Sequence, residues 1–197
     1  MQISGLYGKI SFMSYRQAVE KAWKDVSALT NEDRFSVKFL SNVYDINMIE
    51  KRATLAVSNV TAKDHVTIIL LHYLARKLAF GKLPELSGEW IDFNELEGGE
   101  SYYPAFKKRT IGPIIKKYGA DPGALLTAAE RMNAKRADRG DVSIIIYPFD
   151  EVAILIKMSK ADEEFAPDAS ILFDKNTSGI FCTEDIVVIT ELIVHQL

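Results

Sequence analysis

Residues 142–158 read VSIIIYPFDEVAILIKM, and this stretch decides the fold. Two nearly continuous apolar runs, 142–147 and 152–158, flank the turn-like segment PFDE at 148–151. Apolar runs of this length without polar alternation are typical of strands that are buried on both faces. We therefore predict an antiparallel hairpin near the middle of a sheet.

The sequence before this hairpin predicts two helices and a smaller group of strands. Apolar spacing of three and four favours a helix over 14–29, capped by Ser14. It also favours a second helix that begins at a capping box of Thr61 and Asp64 and ends near Gly81. Alternation between polar and apolar residues predicts a second hairpin over 35–48 and a further strand near 53–57.

The remaining elements follow from turn and cap signals. They are a short strand within 88–96, two short helices over 101–118 separated at Pro113, a helix from Asp121 to about Ala134, a strand over 170–173, and a final helix capped by Thr183.

Strands in hairpins with helices clustered between them define the fold class. We predict an α+β fold, with an antiparallel sheet built from hairpins and helices packed mainly on one side. No repeat or linker interrupts the order, so we predict one domain over residues 1–197, with residues 1–12 as a loose N-terminal arm. Either Met1 or Met13 could be the biological start.

Composition narrows the class of protein. Hydrophobic residues make up 48% and charged residues 26%, the single cysteine excludes an intramolecular disulfide, and no apolar run approaches membrane-span length. We predict a cytoplasmic protein. Residues 101–140 are rich in basic side chains, but the chain carries a net charge of -3, so nucleic acid is an unfavoured partner.

No pattern identifies a catalytic residue. His65 and His72 are seven residues apart on one predicted helix, whereas two helical ligands to one metal are normally three or four apart, and His195 suits a helix C-terminus. Cys182 lies before a helix but beside Glu184 and Asp185, which favours a buried, inert thiol.

Carboxylates crowd the segment from Asp162 to Asp185. Converging carboxylates could bind Mg²⁺ or Ca²⁺ or act as an acid–base pair. The alternative is that these side chains are solvated or occupy helix starts and turns. We therefore predict no metal for this chain itself, and keep a divalent-metal-dependent enzyme as an alternative function.

Two stretches resemble a known family. They are LSGEWIDFNELEGGESYYPAF at 86–106 and DEEFAPDASILFD at 162–174, the latter followed by Thr183-Glu184-Asp185. Together they resemble the domain-of-unknown-function family 3786 of anaerobic bacteria and archaea. The resemblance covers most of the chain after about residue 35.

The resemblance implies a setting rather than an activity. Some family members resemble this domain joined to an iron–sulfur segment near corrinoid and one-carbon proteins. This chain lacks the cysteines of such a segment, so a cluster would belong to a partner. The implied function is a small-molecule-binding or accessory module linked to corrinoid or iron–sulfur metabolism, with no cofactor in the chain itself; a structural protein-interaction module is a further alternative.

We expect the two stretches to meet in space and to form an aromatic and acidic cleft, because large aromatics beside a few polar groups are typical of ligand pockets. The ligand-binding candidates are Glu89, Trp90, Glu95, Tyr103, Phe106, Glu163, Phe165, Asp174, Glu184 and Asp185. The alternative is that the aromatics are core and that the glycines serve only turn geometry.

Overall fold

The computed structural model describes residues 4–197, with side chains from Tyr15 onward. The chain divides into two compact units, of which the first ends at Leu83 and the second is Pro84–Leu197. This division does not test the prediction of a single domain, which stays a prediction. Residues 4–12 of the segment predicted as a loose arm belong to the first helix, Ser4–Ser27, so this helix begins before the predicted cap Ser14. Whether the arm is loosely held stays a prediction.

The first unit combines two helices with a three-stranded antiparallel sheet in the order β1-β2-β3. Its elements are α1 (Ser4–Ser27), β1 (Arg34–Phe39), β2 (Asn42–Asn47), β3 (Arg52–Leu55) and α2 (Asp64–Phe80). In β1 the apolar Val37 and Phe39 are buried while Arg34, Ser36 and Lys38 are exposed, as the alternation predicts.

Helix α2 begins differently from the prediction. Its N-cap is Lys63, without a side-chain hydrogen bond, so the predicted capping box of Thr61 and Asp64 is wrong. The reason is that Thr61 pairs with Thr54 as a bridge beside β3. The predicted end is confirmed, because Gly81 caps the helix at φ 70°.

The second unit contains a five-stranded antiparallel sheet in the order β4-β8-β7-β6-β5. Its strands are β4 (Trp90–Asp92), β5 (Lys135–Arg136), β6 (Val142–Phe149), β7 (Val152–Ser159) and β8 (Asp168–Asp174). Its helices are α3 (Gly99–Arg109), α4 (Ile111–Tyr118), α5 (Gly123–Glu130) and α6 (Thr183–Gln196), with 3₁₀ turns at Phe93–Glu95 and Lys175–Gly179. Helix α5 is shorter than predicted, and β5 was not predicted.

The central hairpin is confirmed. Strand β7 lies in the middle of the sheet between β6 and β8. Strand β6 runs further than predicted, through Pro148 to Phe149, because a register shift between Ile146 and Phe149 accommodates the proline. Phe149 then pairs with Val152, so the predicted four-residue turn is only two residues long.

One face of this sheet is a continuous core. Ile144, Ile156 and Ile171 lie opposite one another on three strands and are at most 1% exposed. Helix α4 contacts β8 and α5 contacts β6, so helices cover the sheet. The predicted α+β class is confirmed, with two antiparallel sheets instead of one. Within the described part of the chain, no helix has the length and apolar character needed to cross a membrane.

Candidate functional site

The two motif stretches meet, as predicted. Strand β4 pairs with β8, which sets Trp90 opposite Asp174 and Ile91 opposite Phe173. This pairing joins segments that are about 80 residues apart in the sequence, and it brings the turns on either side of both strands together.

An aromatic cluster lies beneath this pairing. Phe93 stacks on Phe106 with ring centroids 4.0 Å apart and an interplanar angle of 6°, and Phe173 lies 6.3 Å and 6.1 Å from these two rings. All three are fully buried. The candidate Phe106 is therefore a core residue, because it has no surface to offer a ligand.

Tyr103 lies at the edge of this cluster. Its ring centroid is 6.4 Å from both Phe93 and Phe106, and the residue is half-buried. Burial raises the pKa of its hydroxyl above the usual value, and the nearby carboxylates Asp92 and Asp168 raise the pKa further. Tyr103 is thus a neutral hydroxyl over the whole physiological range.

Asp174 is held by a clasp of hydrogen bonds. It is only 1% exposed. Its carboxylate accepts from the backbone N–H of Ser87 (3.1 Å), Gly88 (2.8 Å) and Asn176 (3.0 Å), and from the Ser87 hydroxyl (3.1 Å). Gly88 adopts φ 74°, a left-handed conformation that glycine accepts readily. Asp174 therefore fixes the turn before β4, and its oxygens are occupied.

Glu89 and Trp90 follow directly after this clasp. Glu89 is exposed and forms an ion pair of 2.9 Å with Lys175, which itself follows Asp174. Trp90 is half-buried in β4. Both residues support the strand pairing, and neither lines the cleft described next.

The cleft lies between the turn after β4 and the start of α6. Its volume is about 580 Å³. It brings together the candidates Glu95, from the first stretch, and Glu184, from the segment that follows the second stretch. No residue of 162–174 lines it, so the second wall differs from the expected one. It is lined by Glu95, Leu96, Glu97, Gly98, Ser178, Phe181, Cys182, Thr183, Glu184 and Ile186.

Local hydrogen bonds position the first wall of the cleft. Glu95 completes a capping box, because its carboxylate accepts from the Asp92 backbone N–H at 2.7 Å while Asp92 accepts from Asn94. The chain then turns sharply at Gly98, which adopts φ 70°. At Gly99 a Cβ would lie 1.9 Å from the Phe93 carbonyl oxygen, so only glycine fits there.

The second wall is tied to the first by Thr183. Its hydroxyl donates to the Glu97 carbonyl oxygen at 2.7 Å. The sequence predicted Thr183 as the cap of α6, and this is wrong, because the N-cap is Cys182 and the Thr183 hydroxyl has a partner on the other wall. The predicted acidic first turn of α6, Glu184 and Asp185, is confirmed.

Cys182 contributes a neutral thiol to the cleft. Burial raises its pKa to about 11. A hydrogen bond from the Asp185 backbone lowers the pKa, whereas the Asp185 charge and side-chain hydrogen bonds with Glu184 and Asp185 raise it. The predicted poor reactivity is therefore supported by the electrostatics. The prediction that the residue is buried is wrong, because Cys182 is exposed at the cleft.

The other acidic candidates lie elsewhere. Glu163 and Phe165 belong to the loop between β7 and β8, where Asp162 accepts from the backbone N–H groups of Glu164 (2.9 Å) and Phe165 (2.7 Å). Glu163 is exposed and Phe165 is 68% exposed, and neither lines the cleft. Asp185 is buried in the first turn of α6 and does not line the cleft either.

The carboxylates from Asp162 to Asp185 do not converge as the metal-enzyme hypothesis requires. Throughout the described part of the chain, no group of three or more His, Cys, Asp or Glu side chains is placed to hold a metal ion. The physical reason is that Asp162 and Asp174 each accept hydrogen bonds within a separate turn, apart from Glu184 and Asp185 in the first turn of α6.

Sequence reasoning missed four polar residues of the cleft as site residues. Glu97 lies within the first motif stretch and could have been found there. Thr183 was assigned to a helix cap and Cys182 to an inert thiol. Ser178 lies in a 3₁₀ turn for which the sequence carried no signal.

Residues 19–196 match the model of the family described as a domain of unknown function, DUF3786. The match covers most of the 197 residues, and the chain belongs to this family. The predicted family is thereby confirmed. No curated protein and no solved structure matches the chain.

Proposed function

We propose that this protein is a binding module whose acidic cleft accepts a ligand that donates hydrogen bonds, such as an amine or an amide. One observation carries the proposal: Glu95, Glu97 and Glu184 line a single cleft, and the lining includes no lysine, arginine or histidine. Carboxylates only accept hydrogen bonds at neutral pH, so the complementary ligand is a donor.

The size and lining of the cleft suit a small organic group. A volume of about 580 Å³ falls within the roughly 300 to 1,000 Å³ of ligand pockets. Leu96, Phe181 and Ile186 supply a small apolar part of the lining, since each is at most 5% exposed. A ligand with an apolar body and an amine or amide end would satisfy both parts of this lining.

Binding is favoured over covalent catalysis. The nucleophile candidate in the cleft is Cys182, whose raised pKa keeps it protonated at neutral pH. A thiol in that state is a poor nucleophile, and the lining provides no histidine to remove its proton.

The proposed biological setting is corrinoid or iron–sulfur metabolism in the cytoplasm of an anaerobe. The family resemblance motivates this setting. The corrinoid periphery carries primary amides, whose N–H donors are complementary to the carboxylates of the cleft. A single exposed cysteine also suits a reducing compartment, where thiols stay reduced. A partner that carries an iron–sulfur cluster could instead insert a lysine or arginine side chain.

The test is isothermal titration calorimetry with dicyanocobinamide, which carries the corrinoid amides, and with spermidine as a plain amine. We expect binding that weakens about tenfold in Glu95→Gln and in Glu184→Gln, because each loses a charged hydrogen-bond acceptor. Glutamine preserves the capping role of Glu95, so the turn stays intact.

The matched control is Glu163→Gln, which removes the same charge from an exposed loop outside the cleft. Equal weakening by the control would show that only the net charge of the protein matters. If neither ligand at millimolar concentration gives a heat of binding, the proposal that the cleft binds a small molecule is refuted.

A further inference from the structure

A second cavity lies in the first unit, on the solvent-facing side of the three-stranded sheet. Its volume is about 550 Å³. The strand register sets Arg34, Asn47 and Arg52 opposite one another, and Ser36, Asp45 and Thr54 form the neighbouring row. Two rows of polar side chains thus form the floor of this cavity.

The loop after β3 gives the cavity a wall. Its ends are joined by the hydrogen bond from Leu55 N–H to the Val60 carbonyl (2.8 Å), and Ala56 N–H donates to the carbonyl of Val43 in β2 (2.9 Å), which ties the loop to the sheet. Asn59, in this loop, adopts φ 56° and lines the cavity. A flat sheet face would offer only a surface, whereas this loop turns it into a concave site.

The charges in the cavity are only partly compensated. Arg52 forms an ion pair of 3.0 Å with Glu50 at the rim, so these two charges cancel. The side chains of Arg34 and Asp45 have no ion pair or hydrogen bond to any of the residues whose side chains are described. Among the residues whose side chains are described, one cation and one anion therefore line the same cavity with no charged or hydrogen-bonding partner.

The spacing of these two charges points to the chemistry of the ligand. Asp45 is a diagonal neighbour of Arg34 across β1 and β2, so their Cα atoms are about 7 to 8 Å apart. A group that bridges them needs an anionic end for the guanidinium and a cationic end for the carboxylate. The carbonyl oxygen of the Asn47 side chain already accepts from Glu50 N–H at 3.0 Å, which leaves its amide N–H₂ to donate to an anion.

We propose that this cavity binds a small zwitterion, such as a free amino acid or a phosphorylated amine. Arg34 and Asn47 bind the carboxylate or phosphate, and Asp45 binds the ammonium group. Guanidinium groups match both anions in planar, two-point geometry. No residue lines both this cavity and the acidic cleft, and neither proposal depends on the other.

The test uses ¹H–¹⁵N NMR spectra of the full chain, titrated to millimolar concentration with L-amino acids, γ-aminobutyrate and O-phosphoethanolamine. We expect amide shifts in β1, β2 and β3 with at least one zwitterion, and weaker binding of acetate, phosphate and methylamine. Arg34→Gln and Asp45→Asn should each weaken zwitterion binding about tenfold, since each removes one charged partner.

The matched control is Lys24→Gln, which removes an exposed charge from α1 outside the cavity and should leave the affinity unchanged. Arg34 and Asp45 are exposed, so retained dispersion of the strand amides should show that both variants are folded. The proposal is overturned if no zwitterion shifts these amides. It is also overturned if acetate or phosphate alone binds as tightly as the zwitterions, or if Lys24→Gln weakens binding as much as Arg34→Gln.

Discussion

Removal of the Asp174 carboxylate should destabilise the second unit far more than removal of any exposed carboxylate. Four donors lie 2.8 to 3.1 Å from its oxygens, and the residue is 1% exposed. A hydrogen bond to a charged group contributes roughly 1.5 to 3 kcal/mol. Because water can reach some of the donors after truncation, we expect Asp174→Ala to cost about 3 to 5 kcal/mol rather than the full sum.

Two further variants separate the effect of the Asp174 charge from the effect of the side-chain shape. Asp174→Asn keeps three acceptor contacts on one oxygen but sets an amide N–H₂ against the Gly88 N–H, where the carboxylate now accepts at 2.8 Å. Two donors then face each other, which should cost about 1 to 3 kcal/mol. Asp168→Ala removes an exposed carboxylate from the other end of β8 and should stay within about 0.5 kcal/mol of the wild type.

The assay is urea denaturation, followed by far-ultraviolet circular dichroism and by tryptophan fluorescence, with Trp90 as the reporter next to the clasp. For a chain of this size, 1 kcal/mol corresponds to roughly 2 to 4 °C in Tm, so Asp174→Ala should melt about 10 °C lower. If Asp174→Ala is as stable as Asp168→Ala, the clasp does not hold the strand pairing, and Asp174 becomes free for a functional role.

The remaining predictions concern the core, the thiol and the sharp turn. Leu155→Asp should unfold the second unit, because Leu155 is fully buried in the central strand. Ile145→Asp should lower the stability less, because Ile145 is only half-buried. Thermal denaturation of both variants shows which one melts at the lower temperature. Cys182 should react with a disulfide reagent at pH 7 on the order of a hundredfold more slowly than free cysteine, and the rate should rise towards pH 11, its raised pKa. Gly99→Ala should destabilise the protein more than Gly98→Ala, because the new Cβ at position 99 would lie 1.9 Å from the Phe93 carbonyl oxygen. At position 98 the new side chain has space, and the cost is only that of a left-handed backbone conformation. Urea denaturation of both variants measures the difference.

An opposite outcome is defined for the core and for the thiol, and equal stability of Gly99→Ala and Gly98→Ala would contradict the close approach of Gly99 to the Phe93 carbonyl. Equal stability of the Leu155 and Ile145 variants would contradict the burial pattern of the sheet. Fast labelling of Cys182 at pH 7 would show that the thiol is ionised. The raised pKa of Cys182 also makes the stability of the folded state depend on pH. Because the folded state holds the thiol proton more tightly than the unfolded state does, the stabilising contribution is fully present below about pH 9 and is lost as the pH rises to about 11.

The elements with strong local signals could be predicted from the sequence. The apolar runs of β6 and β7 identify buried strands, and the alternation in β1 and β2 identifies strands with one exposed face. Pro113 correctly predicts that the segment forms two helices, but the break lies three residues earlier, at Thr110, and Pro113 itself lies in the first turn of α4. In all these cases the pattern lies within one short segment, and few other conformations of that segment would bury the same residues.

The candidate site could be predicted only in part. The meeting of the two motif stretches was predicted from their composition, and the pairing of β4 with β8 confirms it. The sequence did not show which structural role each candidate residue has. Asp174 and Glu163 are both acidic residues of one stretch, yet the first is buried in a clasp and the second is exposed in a loop.

The sequence by itself determined the class of fold, the central hairpin and the membership of the family, because these depend on local periodicity and on motif identity. The tertiary structure decided which carboxylates share a cleft and which close a turn. That choice depends on the register of β4 against β8, two strands about 80 residues apart. No local pattern specifies such a register, because it is set by the donors around Asp174 and by the packing of Phe173 against the buried aromatic cluster.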